Sequence, residues 1–226
     1  MGYCCSDSTV STVGSKSAEG KMSPRNMLTT TIGDELKIAT DFKAKVIGVS
    51  LKDRAAILPA GHAADGAYWI DYSTGTFISS TYYMKELPKW AVDYNKSIGK
   101  VTKDQICYTP LGNKITEEMA KAAVAGEQLG GDNVTDLLTV SFSCTDMIGH
   151  KYGTHSDKTR EIYVDLDKRL ADLFGYLDQN VGKDQYLVFL MADHGAANSI
   201  LLSREHGILP TALWCRRLRR NLTRIL

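Results

Sequence analysis

The sequence predicts an α/β fold, in which a mostly parallel sheet is flanked by helices. Three short segments, at 44–51, 136–143 and 185–192, are almost continuously apolar, as expected for strands covered on both faces. Segments with helical patterns alternate with them, which is typical of an α/β fold. Ligands of such sheets bind beyond the carboxyl ends of the strands, so the residues after each strand are candidates for a site.

The elements follow from local patterns in chain order. Ser23-Pro24 predicts a helix start, because proline is favoured in a first turn, and apolar Ile162, Leu166 and Leu170 recur at helical spacing. The predicted order is a helix at 24–41, a strand at 44–51, loops and turns at 52–75, a strand at 76–80, a helix broken near Pro88, a helix at 117–129 ended by Gly130 and Gly131, a strand at 136–143, a helix capped by Ser156 that reaches about 180, and a strand at 185–192.

Composition excludes several classes of protein. The chain has 226 residues, 43% hydrophobic, and a formal net charge of +1, so no global charge argues for nucleic acid or an acidic membrane. Its apolar runs are too short for a membrane span, and its first residues lack the basic flank and apolar core of a signal peptide. Its five cysteines form no CxxC pair, and a disulfide between adjacent Cys4 and Cys5 is geometrically awkward.

The composition changes near the C-terminus. Residues 203–226 hold six arginines and no lysine, whereas residues 1–202 hold four arginines. This tail is interpreted either as a basic, exposed helix or as out-of-frame translation. We therefore predict one partial catalytic domain at 1–202, with a loop-rich insertion at 50–100 that carries Lys52 and Arg54, and a divergent tail at 203–226.

Two Asp/His pairs follow two of the predicted strands. Asp146 and His150 come after the strand at 136–143, and Asp193 and His194 after the strand at 185–192. Carboxylate and imidazole ligands together suit zinc or a similar divalent ion, and two neighbouring sites would form a two-metal centre for phosphoryl transfer. The alternative is that these residues are helix-capping aspartates and surface histidines.

A third candidate follows the strand at 44–51. In extended geometry Lys52 and Arg54 point to the same side, where they can grip phosphate oxygens. The alternative is an exposed turn. His62 and His155 are interpreted as loop histidines rather than ligands.

Residues 3–198 closely resemble bacterial alkaline phosphatases of the PafA type, within the alkaline phosphatase superfamily. The stretch "SLKDRAAILPAGHAADGAYW" carries much of this resemblance. It implies a partial alkaline-phosphatase-like fold and zinc-dependent hydrolysis of a small-molecule phosphate monoester through a covalent phospho-threonine. Lys52 and Arg54 match the pair that contacts the phosphoryl group, a pair that goes with monoester preference and that the diesterase relatives lack.

The same resemblance implies the metal ligands. Asp146 and His150 match ligands of one zinc ion, and Asp193 and His194 match ligands of the other. It also implies a periplasmic location for the complete parent protein, whose oligomeric state and physiological substrate it leaves open.

The sequence also departs from the family. The threonine nucleophile, an aspartate ligand and a histidine ligand have no counterpart in it, so we expect an internal fragment that is inactive, or nearly so, in isolation. One alternative is a phosphodiesterase or nucleotide pyrophosphatase. Another is a non-catalytic remnant that binds metal weakly.

Overall fold

The computed structural model describes residues 3–196 and confirms an α/β fold. Its elements in chain order are β1 (Thr12–Val13), α1 (Ile32–Ala39), β2 (Val46–Ser50), α2 (Asp53–Ala60), β3 (Gly66–Asp71), β4 (Thr76–Ser80), α3 (Lys89–Ile98), α4 (Lys103–Tyr108), α5 (Leu111–Glu127), β5 (Leu137–Ser141), α6 (Cys144–Tyr152), α7 (Asp157–Leu177) and a π-helical turn (Asp178–Gly182). The predicted strands at 44–51, 76–80 and 136–143, and the helices near 89–98, 117–129 and 156–180, are confirmed.

The sheet has five strands in the order β1-β4-β3-β2-β5 and is mixed. β2 pairs in parallel with both β3 and β5, and this is the parallel part that the apolar segments predict. β3 and β4 form an antiparallel hairpin, and β1 adds antiparallel to β4. The parallel strands β3, β2 and β5 therefore form one side of the sheet, and β4 and β1, which pair antiparallel, form the other.

Helices cover both faces of the sheet. Along β3, Tyr68 and Ile70 face the larger core cluster, which includes buried residues of α5, α6 and α7. Ala67 and Trp69 face a smaller cluster that includes Ala56 and Ile57 of α2. This period-two alternation of a fully buried strand is what a three-layer α/β/α arrangement requires.

The prediction of loops at 52–75 is wrong, because this segment contains α2 and β3. Packing against the sheet stabilises α2, since Ala56, Ile57 and Ala60 are fully buried. Pro59 is the last-but-one residue of α2, so only one helical residue follows the position at which its missing donor interrupts the hydrogen-bond ladder. The glycines and aspartate around β3 suggested turns, but its six residues are all buried.

Two further predictions need correction. The helix predicted at 24–41 begins only at Ile32, because Thr31 forms a capping box with Asp34 that starts the helix there. The strand predicted at 185–192 is absent: residues 186–192 have no regular secondary structure, and Phe189 and Met191 are 78% and 87% exposed. A strand needs a hydrogen-bonded neighbour, and no described strand pairs with this segment.

The predicted basic tail at 203–226 lies outside the described residues, so its two interpretations stay open. Within residues 3–196, none of the helices combines the length and the apolar character that crossing a bilayer requires.

The N-terminal segment is anchored by a buried carboxylate. Asp7 is only 5% exposed and accepts hydrogen bonds from the hydroxyls of Ser23 (2.7 Å) and Thr9 (2.6 Å) and from the Thr9 amide (2.9 Å). The Ser23 hydrogen bond, followed by those from Thr9 and the charge of Arg25, lowers the pKa of Asp7 to about 2, although burial opposes this shift.

We predict that Gly48→Ala destabilises the fold, because the backbone of α2 lies directly against Gly48 of β2. An added Cβ would lie 2.1 Å from the carbonyl oxygen of Ala56. We expect a loss of about 1–3 kcal/mol in the free energy of unfolding, measured by urea denaturation. The control is Gly175→Ala on α7, where a Cβ meets nothing within 4 Å and should be neutral or stabilising. Equal effects of both substitutions would contradict the close approach.

We predict that Asp7 contributes to acid lability. Its pKa in the folded state, about 2, is below the ordinary value of 3.8, so its contribution to stability is complete above about pH 4 and disappears as the pH falls towards 2. Asp7→Asn should remove this part of the pH dependence, measured as the free energy of unfolding between pH 2 and 5. Asp167→Asn, the same change at an exposed position on α7, is the control, and equal changes in both variants would contradict a specific role of Asp7.

Candidate active site

The carboxyl ends of β2 and β5 lie side by side and position the candidate site. Ser50 pairs with Ser141 in the parallel register, and the Ser50 hydroxyl donates to the Ser141 carbonyl oxygen at 3.0 Å. The Ser50 and Ser143 hydroxyl oxygens lie 3.1 Å apart. α2 and α6, which follow these two strands, therefore begin next to each other.

Lys52 lies at the N-cap position of α2, directly after β2. Its backbone is extended there, and its amide donates to the Ser50 hydroxyl at 3.2 Å. Its ammonium group forms an ion pair with Oδ2 of Asp146, and the two side chains are only 20% and 24% exposed. The structure thus brings together one residue from each of two separate candidate motifs.

Asp146 and His150 lie on a helix rather than at a bare strand end. Asp146 is in the first turn of α6, and His150 is four residues later, one turn along the same face. Nε2 of His150 is 3.0 Å from Oδ1 of Asp146, although the His150 side chain is 78% exposed. α6 was not predicted from the sequence, but the spacing of Asp146 and His150 was identified, and the helix places these two residues close together.

His194 approaches the same carboxylate from outside the sheet. Its Nε2 lies 3.8 Å from Oδ1 of Asp146 and 3.5 Å from Oδ2 of Asp193. Asp193 is 89% exposed, and its Oδ1 accepts a hydrogen bond from the His194 amide at 3.1 Å. Two of the four candidate metal ligands, His150 and His194, therefore face a third, Asp146.

The charge of Asp146 is set by opposing effects. Burial raises the pKa of its carboxyl group, but the hydrogen bond and charge of Lys52, with smaller contributions from His150 and His194, outweigh burial and lower that pKa overall. Asp146 is therefore ionised at neutral pH and can bind either the Lys52 ammonium group or a metal cation.

Arg54 does not have the extended geometry assumed for it. The chain is extended at Lys52 but helical from Asp53 onward, and among the described residues no ion pair joins Arg54 to Asp146. Nη1 of Arg54 donates instead to the Tyr3 hydroxyl at 3.2 Å. Tyr3 was missed as a functional candidate, and no local pattern could have revealed it, since it is about fifty residues away in the chain.

The other two candidate histidines are loop residues, as predicted. His62 precedes β3, where its Nδ1 lies 3.4 Å from Oδ2 of Asp34 and its Nε2 lies 3.1 Å from the carbonyl oxygen of Met27. His155 lies in the turn before α7. His62 ties a loop to the start of α1 and takes no part in the Asp146 cluster.

The donor types at the site fit zinc or a similar divalent ion. Two ligands of one tetrahedral zinc ion lie about 3.3 Å apart, because each is about 2.0–2.1 Å from the metal. The 3.0 Å separation in the Asp146–His150 pair is close to that value. Within residues 3–196, however, no three His, Cys, Asp or Glu side chains form a group that could hold a metal ion.

Comparison with known proteins supports the resemblance found in the sequence. Alkaline phosphatase PafA from Elizabethkingia meningoseptica is 42% identical over an alignment that covers 97% of this chain and 49% of that protein. Alkaline phosphatase PhoV from Synechococcus elongatus is 43% identical, with 87% of this chain and 44% of that protein covered. The chain thus spans about half the length of the curated relatives it matches.

Comparison of structures gives the same result. A crystal structure of wild-type alkaline phosphatase PafA superposes with a TM-score of 0.87 at 43% sequence identity, covering 91% of this chain and 49% of that one. The family model described as type I phosphodiesterase / nucleotide pyrophosphatase matches residues 27–208, which is most of the chain. The chain therefore belongs to the type I phosphodiesterase / nucleotide pyrophosphatase family.

Proposed function

We propose that this chain carries part of the active site of a metal-dependent hydrolase of phosphate monoesters. The observation that carries the proposal is the contact between Lys52 and Asp146, with the imidazoles of His150 and His194 around the same carboxylate. Membership of the family and similarity to proteins named alkaline phosphatases support the reaction class.

The metal ligands in this proposal come from the two Asp/His pairs. Asp146 and His150 would hold one zinc ion, and Asp193 and His194 a second. Zinc bound there would supply Lewis acidity and offset the negative charge of a phosphoryl group. The lowered pKa of Asp146 favours this role, because a metal ligand must be deprotonated.

Lys52 and Arg54 would bind the transferred phosphoryl group. Lysine contributes a point charge and arginine a planar fork, and both can contact non-bridging oxygens as charge redistributes during transfer. A monoester carries more negative charge than a diester, so a pair of cations favours the monoester. We assign the nucleophile to no residue of this chain; a phospho-threonine intermediate and a periplasmic location stay predictions.

A diesterase activity is the second candidate, and the family's own description supports it, since this family includes phosphodiesterases and nucleotide pyrophosphatases. The third is a non-catalytic remnant. The proposed binding of the phosphoryl group by Lys52 and Arg54 argues against a diesterase. The diesterase and the non-catalytic remnant give different outcomes in the experiments below.

We predict that the protein prefers a monoester and that this preference depends on Lys52 and Arg54. The assay compares p-nitrophenyl phosphate with bis-p-nitrophenyl phosphate in the presence of zinc. It uses the 226-residue chain, expected to be inactive or nearly so in isolation, and a chimera in which residues 3–196 replace the matching half of the Elizabethkingia relative; the variants below are measured in the chimera. Lys52→Ala and Arg54→Ala should each lower kcat/KM for the monoester about 100-fold or more, and affect the diester less.

The matched controls are Lys168→Ala and Arg160→Ala, which remove the same charges from exposed positions on α7 and should leave turnover unchanged. A chimera that cleaves the diester faster would favour the diesterase, and a folded chimera that cleaves neither substrate would favour the remnant.

We predict that the chain binds zinc through the Asp146–His150 pair. Asp146→Ala and His150→Ala should each weaken binding by at least tenfold in isothermal titration calorimetry, because each removes a direct ligand. His62→Gln is the control, since His62 bonds to Asp34 and Met27 instead. Unchanged affinity in both ligand variants would contradict the assignment.

A further inference from the structure

The first described residues lie against the start of α2, where Arg54 is located. The Tyr3 hydroxyl donates to Oδ1 of Asp53 and accepts a hydrogen bond from Nη1 of Arg54 at 3.2 Å. Two residues later, Cys5 is fully buried in the smaller core cluster, which also contains Ala56 of α2. The segment is therefore packed against the helix as well as hydrogen-bonded to it.

The direction of the two hydrogen bonds follows from the protonation of the phenol. Partial burial and the hydrogen bond to Asp53 raise the pKa of Tyr3 to about 12, so the phenol keeps its proton at neutral pH. Its single O–H is directed at the Asp53 carboxylate, which leaves an oxygen lone pair for Arg54. The guanidinium group uses one of its five N–H donors here and keeps others available for an anion.

Tyr3 also separates two opposite charges. Asp53 and Arg54 are neighbours in the chain, yet the part of the chain that the structure describes contains no ion pair between their side chains. The Tyr3 hydroxyl lies between them, bonded to both. Without it, the Asp53 carboxylate could accept directly from the guanidinium group, and such an ion pair would neutralise Arg54 and occupy its fork.

We propose that Tyr3 is a positioning residue for Arg54: its hydroxyl bonds to Asp53 and prevents that carboxylate from capturing the guanidinium group, which is thereby held ready for a phosphoryl oxygen. This inference rests on the proposed function, in which Arg54 binds the phosphoryl group. It adds Tyr3, about fifty positions earlier in the chain, to the residues that prepare Arg54 for phosphate binding. It also implies that the Asp53 carboxylate competes with phosphate for the guanidinium group.

The test removes only the hydroxyl. Tyr3→Phe should weaken binding of inorganic phosphate to the zinc-loaded 226-residue chain about tenfold in isothermal titration calorimetry, the usual scale for a hydrogen bond to a charged group. In an Arg54→Ala background the same substitution should have no further effect. Tyr82→Phe is the matched control, because Tyr82 is similarly exposed and donates to the His62 carbonyl oxygen at 3.0 Å.

A second variant separates positioning from simple structural support. Adding Asp53→Asn to Tyr3→Phe removes the competing negative charge, so phosphate affinity should recover, whereas damage to packing would not be rescued. Wild-type affinity in Tyr3→Phe, or a double variant as weak as Tyr3→Phe, would overturn the positioning role while leaving the proposed function intact. If Arg54→Ala itself binds phosphate like wild type, the assignment of Arg54 fails, and this inference fails with it.

Discussion

The parallel pairing of β2 with β5 is the constraint on which the candidate site depends. It sets Ser50 opposite Ser141, so that the two chains leave the sheet at the same edge and enter α2 and α6 side by side. A shift of one residue in this register would turn every side chain of a strand to the opposite face, where it does not fit. The Lys52–Asp146 ion pair is a direct consequence of this register, although the two residues are more than ninety positions apart.

The two faces of β2 serve different purposes. Ile47 and Val49, with Leu51 just after the strand, fill the larger core, whereas Gly48, on the opposite face, admits the backbone of α2. This close approach at Ala56 packs α2 against β2, and the proposed phosphate-binding residues Lys52 and Arg54 lie where the chain passes from that strand into the helix. A site on a helix that packs this tightly can position charged side chains more accurately than one on a loop.

Much of the fold and part of the site could be predicted from sequence. The apolar character of β2 and β5 is sufficient to identify both as strands. The spacing of Asp146 and His150 identifies them as candidate ligands even without knowledge of α6. α2 and β3 were missed, because Pro59 and the surrounding glycines suggested turns and only burial against the sheet stabilises these elements. The contact of Arg54 with Tyr3 could not be predicted from local sequence patterns, because it depends on how the N-terminal segment, about fifty residues away, packs against α2.

The way in which the N-terminal segment is attached has a consequence for the order of folding. Tyr3 meets Asp53 across fifty residues, and Ser11 meets Thr81 across seventy, whereas the β3–β4 hairpin joins neighbours in the chain. Closing long loops costs more entropy than closing short ones, so contacts of this kind form late. During synthesis the segment is made before its partners, so Cys5 can be buried against α2 and β4 only after both have been made. The contacts of Tyr3 with Asp53 and Arg54 are thus expected to form after the β3–β4 hairpin.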